Sequence, residues 1–245
     1  MTRALSWDGC ANVRELGGLP TADGRTIRPG ALVRSDRASR LTEQGWASLL
    51  EHGVTTIVDL RADEERLEDP PRELPIAVRH VSLFGQWDHD YFAALDERLK
   101  HLPPNEQLRE FYLESLERYR GQVSLAVEAF ADAPPGGVLV HCAAGKDRTG
   151  LVVALLLRLS GVPVDAVVDD YAESEANLEA LTAAWAAEAA TEEERLQRIA
   201  LNRTPREAMY EVLAALDERY GGVRGYLLHA GCTPELLERA VARLL

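Results

Sequence analysis

The sequence predicts an α/β fold: one domain over residues 1–245, with a central, mostly parallel sheet of about four or five strands flanked by helices, and a helical C-terminal half. Three observations lead to it. Val54–Leu60 (VTTIVDL) and the apolar run ending at His141 are too continuously apolar for half-exposed strands and fit a sheet covered on both faces. Several stretches between such runs carry apolar residues at helical spacing. Strands and helices mix early in the chain, and only helix signals follow the apolar run at 148–160. A chain of 245 residues with 46% hydrophobic content suits one large domain, and it contains no internal repeat or linker.

Ala11 to Pro20 is dense in turn-formers, and Asp23-Gly24 between two short segments predicts a small hairpin. Ala31 to Arg34 predicts a strand ending at Ser35-Asp36. Leu41-Thr42-Glu43 starts a helix, with Leu41 as staple and Thr42 as N-cap, and Gly53 ends it. Val54–Leu60 then runs into Asp59-Leu60-Arg61, which brings an acid and a base to the strand's C-terminal end. Ala62 to Glu68 predicts a short solvated helix closed by Pro70-Pro71. Ile76 to Leu83 reads as a strand, and Phe84 to Asp90, with Trp87 and two acids, as a loop. Leu108, Phe111, Tyr112, Leu116 and Tyr119 predict a helix from Asn105, its cap, to Arg120, with Gly121 as the stop. Gln122 to Ala131 predicts another helix, and the Pro-Pro-Gly-Gly at 134–137 breaks the chain before the strand that ends at His141. Residues 148–160 are apolar nearly all round, a buried central helix ended by Gly161. One long helix is expected from Val164 to about Ala190, and a second from Thr191, its N-cap, to about Leu201. Thr204-Pro205-Arg206-Glu207 reads as a capping box starting a helix to Tyr220, and Thr233-Pro234-Glu235 starts the last one.

A net charge of −13 argues against nucleic acid or anionic membrane as a general partner, so any anion site must be local. Cys10, Cys142 and Cys232 are odd in number and widely spaced, with neither disulfide nor metal-ligand spacing, as in a reducing compartment. No leader pattern opens the chain, and Leu151 to Leu159 is too short to span a bilayer. The expectation is a soluble cytoplasmic protein without an integral membrane segment, monomeric rather than an obligate oligomer.

Five residues, Ala143-Ala144-Gly145-Lys146-Asp147, separate Cys142 from Arg148. A loop of this length, rich in small residues, can curl so that successive backbone N–H groups face one centre. The N-terminus of the next helix adds its partial positive charge. That field favours the thiolate of Cys142, the nucleophilic form. Nucleophile and anion site then coincide, which predicts phosphate-ester hydrolysis through a cysteinyl-phosphate. A Cys before an Arg is by itself weak, because buried cysteines are usually inert. Here a strand precedes it, small residues follow it, and a hydroxyl residue comes after the Arg.

The stretch His141-Cys-Ala-Ala-Gly-Lys-Asp-Arg-Thr-Gly150 resembles the protein tyrosine phosphatase signature, in the form of the atypical bacterial tyrosine and lipid phosphatases. Asn12-Val-Arg14-Glu-Leu-Gly17-Gly18, Arg34-Ser35-Asp36 and Asp59-Leu60-Arg61 are similar to that family's N-terminal motifs. Asp170-Tyr171 and the stretch from Glu218 to Leu227 match its C-terminal half, and only the segment from about Phe84 to Asn105 is less clear. The resemblance implies a tyrosine phosphatase-like fold, with a helical lid at about 169–203. It implies phosphotyrosine in proteins as the leading substrate, phosphoserine, phosphothreonine or phosphoinositides as further ones, and inorganic phosphate as product. No metal or organic cofactor is needed, because the loop supplies the electrostatics.

Carried onto this sequence, Cys142 attacks phosphorus. Arg148 and the backbone N–H groups of Ala143, Ala144, Gly145, Lys146, Asp147 and Arg148 hold the phosphate oxygens. Thr149 donates to the sulfur or caps the helix, and His141 orients the loop. The proton donor is Asp147, which the resemblance favours, or Asp88 beside Trp87. Asp36 and Asp59 are further options, with plainer readings as a turn cap and a partner for an Arg. Lys146 reads as a solvated lysine or as a second cation for substrates with extra phosphates. Two other classes use such a loop. Sulfur transfer or arsenate reduction lacks a nearby second Cys here, and a phospho-binding module without turnover would not need Cys142 and Arg148 intact.

Overall fold

The structure, a computed structural model, describes residues 3–67, 76–86 and 88–245. Its five strands are β1 (Arg14–Glu15), β2 (Leu32–Ser35), β3 (Val54–Asp59), β4 (Ala77–His80) and β5 (Gly137–His141), in the sheet order β1-β2-β5-β3-β4. All neighbours are parallel except β1, which pairs antiparallel with β2 at one edge. This is the mostly parallel sheet the sequence predicts. β5 lies in the middle with every residue buried. Side chains alternate along a strand, so Val138 and Val140 feed one apolar core while Leu139 feeds a second on the opposite face.

The register sets Ser35 and Asp59 on either side of His141, so β2, β3 and β5 end together. Open parallel sheets bind ligands beyond these carboxyl ends. Asp36, Leu60-Arg61 and Cys142 are the residues by which the chain leaves the sheet there.

Around the sheet lie α1 (Glu43–Glu51), α2 (Asp63–Leu67), α3 (His89–Leu99), α4 (Pro104–Arg118), α5 (Arg120–Ala131) and α6 (Asp147–Leu159). They are followed by α7 (Val164–Asn177), α8 (Glu179–Ala187), α9 (Glu192–Ala200), α10 (Arg206–Tyr220), α11 (Val223–His229) and α12 (Pro234–Leu244). Among the described residues, no helix is long and apolar enough to cross a membrane. Thr42, Thr191 and Thr233 cap α1, α9 and α12 as expected, each accepting from the N–H three residues on. The hairpin at Asp23-Gly24 closes on one antiparallel bridge, Pro20 with Thr26.

Several expectations need correction. The segment read as a loop before Asp90 leads directly into α3, with Asp88 as its N-cap. Glu68, Pro70-Pro71 and Trp87 lie outside the described residues. α4 starts at Pro104, before the expected cap Asn105, because proline's fixed φ suits the first helical position. Gly121 does not stop a helix but lies inside α5, and the turn falls at Tyr119. The long helix expected from Val164 is two helices divided at Leu178, and α11 forms where the sequence predicts no separate helix. Thr204 does not cap α10; its hydroxyl accepts from Glu175 N–H (3.1 Å) and donates to the Ala172 carbonyl (3.2 Å), tying that turn to α7.

Candidate active site

Cys142 follows β5 directly and is buried. The loop after it is held from behind by its carbonyls. Cys142 O accepts from His141 Nδ1 (3.1 Å), Ala143 O from Arg37 N (3.0 Å) and Ala144 O from Asn12 Nδ2 (3.0 Å). Gly145 O accepts from Arg34 Nη2 (2.7 Å) and Asn12 Nδ2 (3.2 Å). In a trans peptide the C=O and the following N–H point opposite ways, and the chain has no cis bond among its described residues. Four consecutive carbonyls tied to one side therefore aim the N–H groups of residues 143–146 to the other. Gly145 makes this curl possible: its φ is +69°, and a Cβ there would overlap the carbonyl of Ser35 at the end of β2.

Arg148 sits in the first turn of α6. Its fork closes on the Glu65 carboxylate of α2, Nη1 on Oε2 and Nη2 on Oε1 (2.9 Å). Burial works against the guanidinium's charge, but Glu65 and then Cys142 outweigh it and raise its pKa above the usual arginine value. Burial likewise opposes the Glu65 charge, and Arg148 holds that carboxyl below its usual range. Glu65 also accepts from Ala62 N–H (2.7 Å), a bond that closes the first turn of α2 on itself. The stretch expected to be merely solvated thus presents the partner that orients Arg148.

Asp147 opens α6, where an acid suits the helix dipole. Its Oδ1 accepts from Lys146 Nζ (2.8 Å) and from the Tyr112 hydroxyl (2.6 Å), which is itself 2.9 Å from the Tyr171 hydroxyl. Both tyrosines are buried. Burial opposes the Asp147 charge, yet Lys146 foremost, then Tyr112 and Arg148, hold its carboxyl below the usual carboxylate range. Lys146 is buried too and spends its ammonium on Asp147, so it is not a solvated lysine.

The other named residues serve the frame. Asp88 accepts from Tyr91 N–H (3.0 Å) and pairs with Arg118 (2.9 Å), a capped and exposed ion pair. Asp36 accepts from the N–H groups of Asn12 (3.0 Å) and Ala11 (3.3 Å), the turn-cap role. Asp59 holds Arg61 (2.9 Å); burial opposes its charge, but Arg61 and His141 lower its pKa to about 2. His141 is buried and its pKa lowered, chiefly by burial against the pull of Asp59, so it stays neutral with Nδ1–H on the Cys142 carbonyl. Thr149 corrects an expectation: its buried Oγ1 makes no hydrogen bond among the described residues, so it neither caps α6 nor donates to the sulfur here.

The sequence reading missed Glu65, Tyr112 and Tyr171 as neighbours of the loop. Tyr112 was placed on the apolar face of its helix, but nothing in that periodicity marks a hydroxyl aimed at Asp147. Among the described residues, no three His, Cys, Asp or Glu side chains cluster so as to hold a metal ion. What the arrangement offers is a thiol beside converging amides and a guanidinium, a site suited to a tetrahedral oxyanion and a nucleophilic attack on it.

The tyrosine phosphatase family profile matches residues 5–245, and the chain belongs to that family. Its class of enzyme is accordingly the protein-tyrosine phosphatase. It is 32% identical to the "Tyrosine-protein phosphatase" of Nostoc commune, over 92% of this chain and 78% of that one. It is 31% identical to the "Triple specificity protein phosphatase PtpB" of Mycobacterium tuberculosis, over 94% of this chain and 95% of that one. A solved structure of P. aeruginosa TpbA in complex with pTyr covers 69% of this chain and 80% of its own at 19% identity, with a TM-score of 0.34.

Proposed function

We propose that this phosphatase hydrolyses phosphate monoesters, phosphotyrosine in proteins first, by in-line attack of Cys142 and formation of a cysteinyl-phosphate. The observation that carries the reading is the run of four outward-tied carbonyls between Cys142 and Gly145. It leaves the amides of residues 143–146 free to meet phosphoryl oxygens, with the Arg148 fork beside them. The amides are fixed before substrate arrives, and Glu65 fixes the plane of the Arg148 guanidinium, so both stabilise the transferring group with little reorganisation. The buried Thr149 hydroxyl, with no hydrogen-bond partner among the described residues in the free enzyme, is the proposed donor to the departing thiolate.

Asp147 is the proposed proton donor to the leaving oxygen. Asp88 is the weaker choice, because its two oxygens already serve α3 and Arg118. In the free enzyme Asp147 is a carboxylate, and a dianionic phosphate in the loop raises its pKa by like charge. Turnover of alkyl phosphates, which need the proton, therefore falls as pH rises through that pKa. Asp147→Ala should cost alkyl substrates about 10²-fold and aryl phosphates with good leaving groups far less. Tyr112→Phe removes a donor that favours the carboxylate, so the falling limb of kcat against pH should move to higher pH. Equal losses across leaving groups, or a limb that stays in place, would remove Asp147 from this role.

The reading includes the helical pair α8–α9 as a lid. α9 has no buried residue and α8 only Ala186, while Trp185, Leu196 and Leu201 are exposed. Glu192 and Glu194 are paired with Arg195 and Arg198, which tempers the acidity of this segment.

Because Lys146 is committed to Asp147, the reading favours phosphotyrosine over phosphoinositides. Vanadate-sensitive phosphate release, measured on phosphotyrosine, phosphoserine and phosphothreonine peptides and on phosphoinositide vesicles, tests this order. Phosphotyrosine should lead in kcat/KM. If the vesicles lead, and Lys146→Ala abolishes that lead alone, Lys146 selects polyphosphorylated substrates and the order is reversed.

A further inference from the structure

Three motifs of the sequence, around Asn12, Arg34 and Asp170, take no part in the chemistry above, yet they meet behind the loop. Asp170, on α7, accepts from Arg34 Nη1 through Oδ2 (2.6 Å) and from Arg14 Nε through Oδ1 (2.9 Å). Its backbone carbonyl accepts from Arg14 Nη2 (2.6 Å), and Arg3 reaches Oδ1 from the edge (2.7 Å). Arg14 Nη1 in turn donates to Asn12 Oδ1 (2.6 Å), which orients the Asn12 amide so that its Nδ2 faces the loop. Arg14, Arg34, Asp170 and Asn12 are all essentially inaccessible to solvent.

We propose that Asn12, Arg34 and Asp170 are positioning residues for the phosphoryl-transfer loop, a buried scaffold whose product is the direction of its amides. Asp170 fixes two guanidiniums. One of them, Arg34, holds the Gly145 carbonyl, and the other, Arg14, sets the Asn12 amide that holds the Ala144 and Gly145 carbonyls. Through the two trans peptides, the N–H groups of Gly145 and Lys146 are thereby aimed to the phosphate side. A buried ion cluster is weak evidence for stability, since apolar replacements of similar volume often serve as well. What apolar residues cannot do is donate to backbone carbonyls. The cluster also carries more guanidinium than carboxylate, since Arg3, Arg14 and Arg34 face Asp170 and the half-exposed Glu173, which leaves positive charge behind an anion site. The scaffold joins α7 to the loop, so the helix that leads into α8–α9 is mechanically continuous with the site.

The inference rests on the loop being the phosphoryl site, and the test separates the two. Asn12→Ala removes the donor to both carbonyls and leaves the Arg–Asp170 pairs in place; Arg34→Lys keeps the charge and loses the fork. The readouts are kcat and KM for an aryl phosphate, the affinities for vanadate and for inorganic phosphate, and the melting temperature. Vanadate imitates the five-coordinate transition state, and inorganic phosphate the ground state. Leu237→Ala, in the buried face of α12 where that helix packs on α5 and α6, reports lost stability. The scaffold predicts that Asn12→Ala lowers kcat by about 10²-fold with KM little changed. It also predicts that vanadate affinity falls by a larger factor than phosphate affinity, with Arg34→Lys moving the same way. Leu237→Ala should lower the melting temperature and leave the vanadate-to-phosphate ratio at the wild-type value. If Arg34→Lys does not fold, Asn12→Ala decides alone. Folded variants with wild-type kcat and ratio, in an active enzyme, overturn the scaffold only. A wild-type protein with no vanadate-sensitive turnover overturns the phosphatase reading and the scaffold with it.

Discussion

Arg148→Lys lowers kcat/KM for aryl phosphates by about 10³-fold, most of it in kcat, while the protein stays folded. The expectation follows from shape. Lysine keeps one positive charge but offers a point donor where guanidinium offers two parallel N–H groups matched to two oxygens. In the free enzyme Glu65 takes one N–H from each terminal nitrogen, which fixes the guanidinium plane and leaves its other N–H groups to meet phosphate oxygens. A lysine there would pair with Glu65 through one contact and swing with its flexible stem. Loss of folding is not expected, because the pair is partly solvent-exposed and such pairs contribute modestly to stability. The measurement is steady-state kinetics beside a thermal melt. A Lys variant within tenfold of wild type would mean that the amides alone carry the phosphoryl charge.

Cys142→Ser removes turnover altogether, a loss of more than about 10⁴-fold, because a serine hydroxyl at this position has no base to activate it. His141, the adjacent candidate, is buried, donates its Nδ1–H to the Cys142 carbonyl and has its Nε2 facing Asp59 (3.7 Å). The substitution is nearly isosteric, so the loop's four carbonyl anchors and the Arg148–Glu65 pair are expected to persist. Vanadate or a phosphotyrosine peptide should therefore still bind the variant, and calorimetry on it separates binding from chemistry. Lost turnover together with lost binding would instead make Cys142 a structural element of the loop.

The centre of the site is legible in the sequence because it is local. A strand, a small-residue loop and an apolar helix follow one another from Val138 to Leu159, and each is set by neighbours within a few residues. The caps at Thr42, Thr191 and Thr233 are legible for the same reason. What the sequence hides is contact between distant segments. Glu65 meets Arg148 across 83 residues, and a run such as Asp63-Glu64-Glu65-Arg66 gives no sign of which acid will turn inward. Thr204 looks like a cap, yet its hydroxyl finds Glu175 of α7 first, so tertiary contact overrides the local signal. The division at Leu178 carries no glycine or proline to announce it, and beside it Asn177 reaches back to Asn12 (3.3 Å). Asn12, Arg34 and Asp170 were legible only as a family likeness; their joint hold on two carbonyls is visible only once the strands are paired.

The central claim is that Cys142 carries the phosphoryl group between the two halves of the reaction. Rapid acid quench of the enzyme during turnover of an aryl phosphate, followed by peptide mass mapping, tests it directly. The account predicts one phosphoryl group on the peptide containing Cys142, on the sulfur, and none on that peptide from Cys142→Ser. Phosphoryl found on His141, Asp147 or any other side chain, or undiminished turnover by Cys142→Ser, would contradict it.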